Sequence, residues 1–236
     1  MKNLSFALLF LCSIPAFAEG KLSDESQAGV VITNGNSHTQ NYNVASITRY
    51  AWEKNTLELK GNYLRAVTSG ELNSLNWLVS LRYERSLKDF LKGFVSETLE
   101  GDQFAGVMQR YNTDLGAKYF FYNTEKIVTW FGEAGYRYTN EHNTNGLTKG
   151  YQKARVYTEA ENFFNPTTSA RLWLEYIPNF TLPEMWLLNA ELSLSSALNS
   201  TFAVKSAYGL RYNHSPVILS AQKTDSTFST SLVAKF

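Results

Sequence analysis

Three histidines, His38, His142 and His214, are the side chains of this sequence that exchange a proton near neutral pH without help from their surroundings. Brought together, three imidazoles could bind a transition metal. A metal site read from sequence needs closely spaced ligands, however, and these three lie in separate stretches. Scattered surface histidines are the plainer expectation, and no metal or cofactor is indicated. Glu100, Asp102 and Glu141 could supply the paired carboxylates of a hydrolase, although acids in loops ordinarily face water. Serine is abundant, yet no serine stands in a nucleophile motif. The sequence therefore predicts no enzyme, and a hydrolase working around His142 is kept as the alternative.

A larger set of chemically capable residues recurs at every second position. Glu58 and Lys60, Arg82 and Glu84, Arg110, Asp114 and Lys118, Glu133 and Arg137 belong to it. So do Lys153, Arg155, Glu159 and Glu161, then Arg171 and Glu175, and finally Glu191, Lys205 and Arg211. Successive side chains of a strand point to opposite faces, so residues spaced by two share a face. Both signs are interspersed on it. A wide ion-selective pore favours rings of one sign, whereas mixed charges in a narrow lumen can pair and close much of it.

The elements that would hold these residues are about twelve alternating segments near 27–34, 39–52, 56–66, 73–85, 90–98, 105–122, 127–139, 151–163, 168–177, 185–197, 202–213 and 224–236. Each is near the length a tilted strand needs to cross a bilayer. Val128, Trp130, Ala134, Tyr136 and Tyr138 alternate with Thr129, Glu133, Gly135 and Arg137. Leu172, Leu174 and Tyr176 alternate with Arg171, Trp173 and Glu175. Segment 2, with Ile47, and segment 5, with Lys92 between Phe90 and Phe94, have no clear phase. Even-to-odd links such as Glu53-Lys54-Asn55 and Asn165-Pro166-Thr167 are tight, while odd-to-even links are more varied. Aromatic residues gather at the strand ends, with Trp52, Tyr83, Trp130 and Phe202 on one side and Tyr138, Tyr176, Trp186 and Tyr212 on the other. Two such belts suit the two interfaces of a bilayer.

Residues 1–18 carry Lys2, an apolar run from Leu4 to Leu11 and the small-residue pattern Ala16-Phe17-Ala18. They read as a secretory signal peptide cut between Ala18 and Glu19. Cys12 is the only cysteine and leaves with the leader, so no disulfide is available to the mature chain. With 22 basic and 21 acidic residues there is no excess of positive charge to bind nucleic acid. Past the leader no apolar run reaches the length of a membrane helix. Asn179-Phe180-Thr181 and Asn199-Ser200-Thr201 match a glycosylation pattern to which no role is given.

The last segment, Thr224 to Phe236, ends on an aromatic residue. Phe228, Leu232 and Phe236 fall on one face, which resembles the sorting signal of bacterial outer-membrane barrels. Three further stretches resemble a single family: Gly35-Asn36-Ser37-His38-Thr39, Glu175-Tyr176-Ile177-Pro178, and Lys223-Thr224-Asp225 leading to Phe236. They are similar to segments of the YdiY-like salt-induced outer membrane protein family, a domain of unknown function, number 481. His38 stands where that family's first motif has an aspartate, which removes a carboxylate from that turn. The resemblance implies an outer-membrane barrel and a link to salt or osmotic stress; it supplies no mechanism.

The expectation is an all-β, transmembrane up-and-down antiparallel barrel of about twelve strands with both termini periplasmic. Residues 19–26 would be a short periplasmic lead and 27–236 the barrel, with a soluble periplasmic sandwich as its rival. Its role would be passive, either a narrow pore for ions or small polar solutes or a mostly plugged barrel. The lumen-lining candidates are Arg82, Glu84, Arg110, Asp114, Glu133, Arg137, Arg155, Glu159, Arg171, Glu175, Glu191, Lys205 and Arg211. Expected partners are outer-membrane lipid and, during insertion, the barrel-assembly machinery that would read Phe228, Leu232 and Phe236.

Overall fold

The computed structural model describes residues 20–33, 39–124, 127–216 and 222–236. The leader with its cleavage site, the motif around His38 and the turn residues Glu125 and Lys126 lie outside the described residues. Twelve strands form one antiparallel closed barrel: β1 (Lys21–Thr33), β2 (Thr39–Trp52), β3 (Asn55–Thr68), β4 (Glu71–Lys88), β5 (Leu91–Asp102), β6 (Val107–Thr124), β7 (Val128–Asn143), β8 (Thr148–Asn165), β9 (Thr168–Ile177), β10 (Leu187–Ala197), β11 (Phe202–Asn213) and β12 (Thr224–Lys235). Each strand pairs with its neighbour in sequence, and β12 returns to β1. Closure removes the open edges that a sheet this size would otherwise present.

The alternation sorts side chains between two environments. Leu115, Leu172, Leu174, Leu188, Leu192 and Leu232 are exposed on the outer surface, together with Trp130, Tyr136 and Phe228. The buried set is mostly polar: Glu84, Asp114, Glu133, Glu141, Lys153 and Lys205 sit on the inner face, nine-tenths or more covered. A soluble sandwich would bury the leucines and expose the charges. This chain does the reverse, as a barrel surrounded by hydrocarbon must. The two aromatic groups lie near the strand ends, where Trp52 contacts Tyr83 and Trp186 packs on both Tyr176 and Tyr212.

Turn chemistry fixes the registers. The end carrying Lys21 and Phe236 has the short even-to-odd links. Asn165 Oδ1 there accepts the backbone N–H groups of Thr167 and Thr168, and Asn199 Oδ1 those of Thr201 and Phe202. Asn179 repeats the arrangement with Thr181 and Leu182 at the opposite end. Asn-x-Thr triplets are thus side-chain-closed turns here. The longest connection lying wholly within the described residues, 178–186, is at the opposite, loop end. That end also holds a tight turn, Ser69-Gly70, whose two residues both have positive φ (53° and 85°), as a type I′ hairpin turn requires.

Three expectations need correction or completion. β1 starts at Lys21, so residues 21–26 are barrel wall and not a lead. They escaped the hydropathy pattern because Asp24 and Ser26 point outward. The Asp24 carboxylate is satisfied there by the hydroxyls of Thr48 (2.6 Å), Ser26 (2.8 Å) and Ser46 (3.2 Å). β2 now has a phase, since Ile47 and Arg49 pair with the inward Lys60 and Glu58, which puts Thr48, Ser46 and Val44 outside. In β5, Phe94 and Lys92 face inward, but Phe90 belongs to the preceding turn and packs against the outward Tyr119. A bulge between Ser86 and Lys88 breaks the alternation at that point.

Candidate functional site in the barrel lumen

The register places all thirteen lumen candidates on the inner face, and ten belong to the arc from β4 to β9 that is densest in charge. Glu133 on β7 is the hub of that arc. It accepts two hydrogen bonds from the Arg82 guanidinium of β4 (3.0 and 2.7 Å) and one from Arg155 of β8 (2.7 Å). Arg82 also holds Glu84 at 2.8 Å, and Arg155 holds Glu175 of β9 at 2.5 Å. Asp114 and Arg137 form a two-pronged pair at 2.6 and 2.7 Å. Arg110 bridges Glu141 (2.6 Å) and Glu100 (3.0 Å) nearer the loop end. The Arg82–Glu133 pair skips two intervening strands, so it spans the lumen as a chord. These groups have almost no water. The Glu133 side chain is 4% exposed, and Arg137 and Arg155 are each 12% exposed.

This arc also contains inward aromatic rings. Phe120, Phe131, Tyr157 and Trp173 form a row across β6–β9 with ring centroids 5.6, 6.0 and 6.0 Å apart. The Lys118 ammonium sits 3.8 Å from the centre of Phe131, and the Arg82 guanidinium 3.8 Å from that of Phe94. Ring faces attract cations, so the row is a floor beneath the ionic layer. Tyr157 also donates a hydrogen bond to Glu159. Sequence patterning missed this floor, because an aromatic residue at an inward position reads as a lapse in alternation. The signal available was Trp173 falling between Arg171 and Glu175.

The remaining wall is different. Lys205 meets Glu191 at 3.1 Å, and Arg171 approaches the same carboxylate at 3.8 Å. Inward positions between them are small: Ser193, Ala203, Ala207, Gly209, Ser229 and Ser231. Lys60 on β3 is exposed to the lumen, and no carboxylate among the described residues lies within ion-pair distance of it. Arg49 pairs with Glu58 at 2.6 Å while still 45% exposed. Arg211, 59% exposed, comes within 3.8 Å of Asp102 on the opposite wall. Among the described residues, the β11–β3 side thus carries small inward side chains and water-exposed cations, and no acid, base and nucleophile lie together.

The residues weighed for catalysis do not converge. His142 lies on the outer face of β7, with Nδ1 2.8 Å from the Thr148 hydroxyl. His214 stacks on Trp186 at the end of β11, with Nδ1 3.0 Å from the Tyr212 hydroxyl. Glu100 and Glu141 are both engaged by the shared Arg110, and Asp102 faces Arg211. Phe228, Leu232 and Phe236 are exposed on the outer face of β12, at 71%, 51% and 75%.

Among solved structures the chain is similar to the NanC porin, with 9% identity and a TM-score of 0.56 over 91% of this chain and 98% of the porin. It is also similar to the COG4313 outer membrane channel from Pseudomonas putida F1, with 10% identity and a TM-score of 0.51 over 94% and 96% of the two chains. At these identities the likeness shows a shared outer-membrane barrel fold. None of the curated proteins matches the chain. Its sequence over residues 26–236 matches the family described as "Protein of unknown function, DUF481", and the protein belongs to that family.

Proposed function

We propose that this protein is a bacterial outer-membrane barrel whose narrow lumen passes ions or small polar solutes. The observation that carries this reading is the division of the lumen. Buried ion pairs occupy the β4–β9 arc, while Lys60, Arg49 and Arg211 remain open to water on the other side. Charges locked in pairs close space, and charges left in water set the field a passing ion meets. The apolar outer surface and its aromatic ends support a place in the bilayer. Short turns on the side of both termini support periplasmic termini, and the N-terminal leader supports export. In the same reading, the outward face of Phe228, Leu232 and Phe236 is what the assembly machinery reads. A link to salt or osmotic stress completes it, testable by growth of a deletion strain at high salt.

Planar-bilayer recording of the purified protein tests the pore. Small unitary conductance favouring anions is expected, because the water-exposed Lys60 has no carboxylate among the described residues within ion-pair distance, whereas Arg49 and Arg211 are partnered by Glu58 and Asp102. Lys60→Glu should move the selectivity toward cations, and further than Arg137→Ala or Glu133→Ala, whose charges are held in pairs. Silence of the wild type and of all three variants would defeat the pore and leave a filled barrel with a structural or stress role.

A further inference from the structure

Asp24 of β1 stands on the outer face of the barrel, near the end that holds both termini. Its carboxylate accepts hydrogen bonds from the hydroxyls of Thr48 (2.6 Å), Ser26 (2.8 Å) and Ser46 (3.2 Å). Neutral hydroxyls satisfy its lone pairs and leave the charge itself uncompensated. Among the described residues no lysine or arginine lies within ion-pair distance of it. The ion pair of the same seam, Lys235 with Glu25 at 3.3 Å, belongs to the lumen face and keeps β1 and β12 joined there. All three hydroxyl protons are turned on the Asp24 carboxylate. What the cluster presents outward is therefore acceptor lone pairs and a negative charge, with no donor of its own.

Its depth is set by the next strand. Asp24 pairs with Thr48 and Leu22 with Tyr50, and Tyr50 stacks on Trp52 with ring centroids 5.4 Å apart. Such rings mark the boundary between headgroups and hydrocarbon, so Asp24 lies one outward position inside it, within reach of a lipid head. Further in, the outer wall is hollowed. Ser26, Ala28 and Ala234 are small, and with Gln27, Val44 and Leu232 they line a groove of about 330 Å³. The groove begins at Ser26, which already belongs to the Asp24 cluster. It ends among Ala28, Val44 and Leu232, which pair with one another across β2, β1 and β12 and are apolar. An acidic, acceptor-only socket that runs on into an apolar groove matches a molecule with an N–H-bearing cationic head and a hydrocarbon chain.

We propose that this outer face binds one phospholipid with a primary ammonium head, taken from the leaflet on the side of both termini. The ammonium donates to Asp24 and its hydroxyl oxygens, and one acyl chain lies against Ala28, Val44, Leu232 and Ala234. A trimethylated choline head carries the same charge but has no N–H to donate, and an anionic head is repelled by Asp24. The ligand class is therefore an ethanolamine phospholipid. The proposal rests on the barrel being embedded in a bilayer and not on conduction through its lumen.

Native mass spectrometry of the purified barrel tests it, after exchange into an equimolar mixture of ethanolamine, choline and glycerol phospholipids with identical acyl chains. Wild type should retain one ethanolamine lipid several-fold more often than either of the others. Retention should fall stepwise when the ethanolamine head is replaced by its mono- and dimethylated forms, which lose one N–H at a time. Asp24→Asn should abolish the preference among heads, and Ala28→Trp, which fills the groove, should lower retention of the ethanolamine lipid several-fold. Equal retention of ethanolamine and choline lipids by wild type would overturn the head site without recourse to any variant. A preference unchanged in Asp24→Asn would remove Asp24 as its source, and retention unchanged in Ala28→Trp would remove the groove. A second copy of the chain held in place of lipid, and lost on Ala28→Trp, would assign the face to self-association and end the proposal. Flotation with vesicles separates the two levels: a barrel that fails to float defeats the bilayer placement and the site with it, whereas one that floats without a lipid preference defeats the site alone. Heat-shifted mobility on gels confirms that each variant forms a barrel.

Discussion

The two sides of this barrel solve the same problem in opposite ways. From β4 to β9 the inner wall is filled by long charged side chains, paired with one another over a row of aromatic rings. From β10 through β12 to β1 small Ser, Ala and Gly residues stand between a few charges such as Glu191, Lys205 and Arg211, and the closing ladder is short. A wall held by cross-lumen pairs is rigid and nearly dry. A wall whose inward side chains are mostly short leaves room beside the few pairs that cross it, Lys205–Glu191 and Lys235–Glu25. The difference shows that a barrel of this size need not be either filled or open around its whole circumference; this one divides the two states between its halves.

The contrast predicts unequal consequences for removing a carboxylate from each side. Glu133→Ala deprives Arg82 and Arg155 of a shared, buried partner and should destabilise the barrel by about 3–5 kcal/mol, as loss of one member of a buried ionic cluster does. Glu58→Ala on β3, outside that arc, removes a 22%-exposed acid paired at 2.6 Å with Arg49, which is 45% exposed. It should cost about 0–1 kcal/mol, the range of partly solvated pairs. Urea unfolding of the two variants in detergent or liposomes measures both. Equal losses would mean that the halves are energetically alike and that the division is one of shape only.

The outer surface should not share this asymmetry, because hydrocarbon surrounds both sides. Leu174→Arg on β9 should cost about 2–4 kcal/mol near the bilayer midplane, measured in the same unfolding assay. A negligible cost would show that the leucine band does not face lipid.

Much of this was legible from sequence because a barrel repeats one simple rule. Segments 168–177 and 202–213 coincide with β9 and β11, since turn residues and alternation agree at their ends, and segment 39–52 coincides with β2 although its phase was not readable. The thirteen charged candidates fell on one face for the same reason. What could not be read depends on partners that are distant in sequence. Asp24 looked like a soluble lead until Ser46 and Thr48 were placed beside it on the next strand. The Arg82–Glu133 chord joins residues on strands that are not neighbours, and no spacing rule encodes it. Bulges at Ser86/Lys88 and Phe120/Tyr122 shift the phase by one residue, which a period of two cannot anticipate. The Asn-x-Thr triplets were visible, but their meaning lay in turn geometry and not in modification.

Glycines give the finest comparison of the two walls, because adding one methyl group probes the space each wall leaves. Gly116 and Gly135 face one another across β6 and β7 under the Phe94 ring. A Cβ at Gly116 would meet the Ala134 carbonyl oxygen at 2.6 Å, Phe94 Cζ at 2.7 Å and Gly135 Cα at 2.9 Å. Two of those three atoms belong to the backbone and cannot swing aside, so Gly116→Ala must push β6 from β7 or tilt the ring that carries Arg82. The expected cost is about 1–3 kcal/mol, the usual range for overpacking. Gly209 on β11 also faces inward, but its added Cβ would find its nearest atoms, the carbonyl oxygens of Ala190 and Thr227, at 3.9 Å. Its φ carries no left-handed requirement, so Gly209→Ala should be neutral or stabilising by about 0.4–1 kcal/mol, through loss of chain freedom in the unfolded state. Midpoints of urea unfolding for the two alanine variants, compared with wild type, decide the matter. Gly209→Ala falling as far as Gly116→Ala would show the β10–β1 wall to be packed as tightly as the ionic one, and the spare room assigned to it would have to be given up.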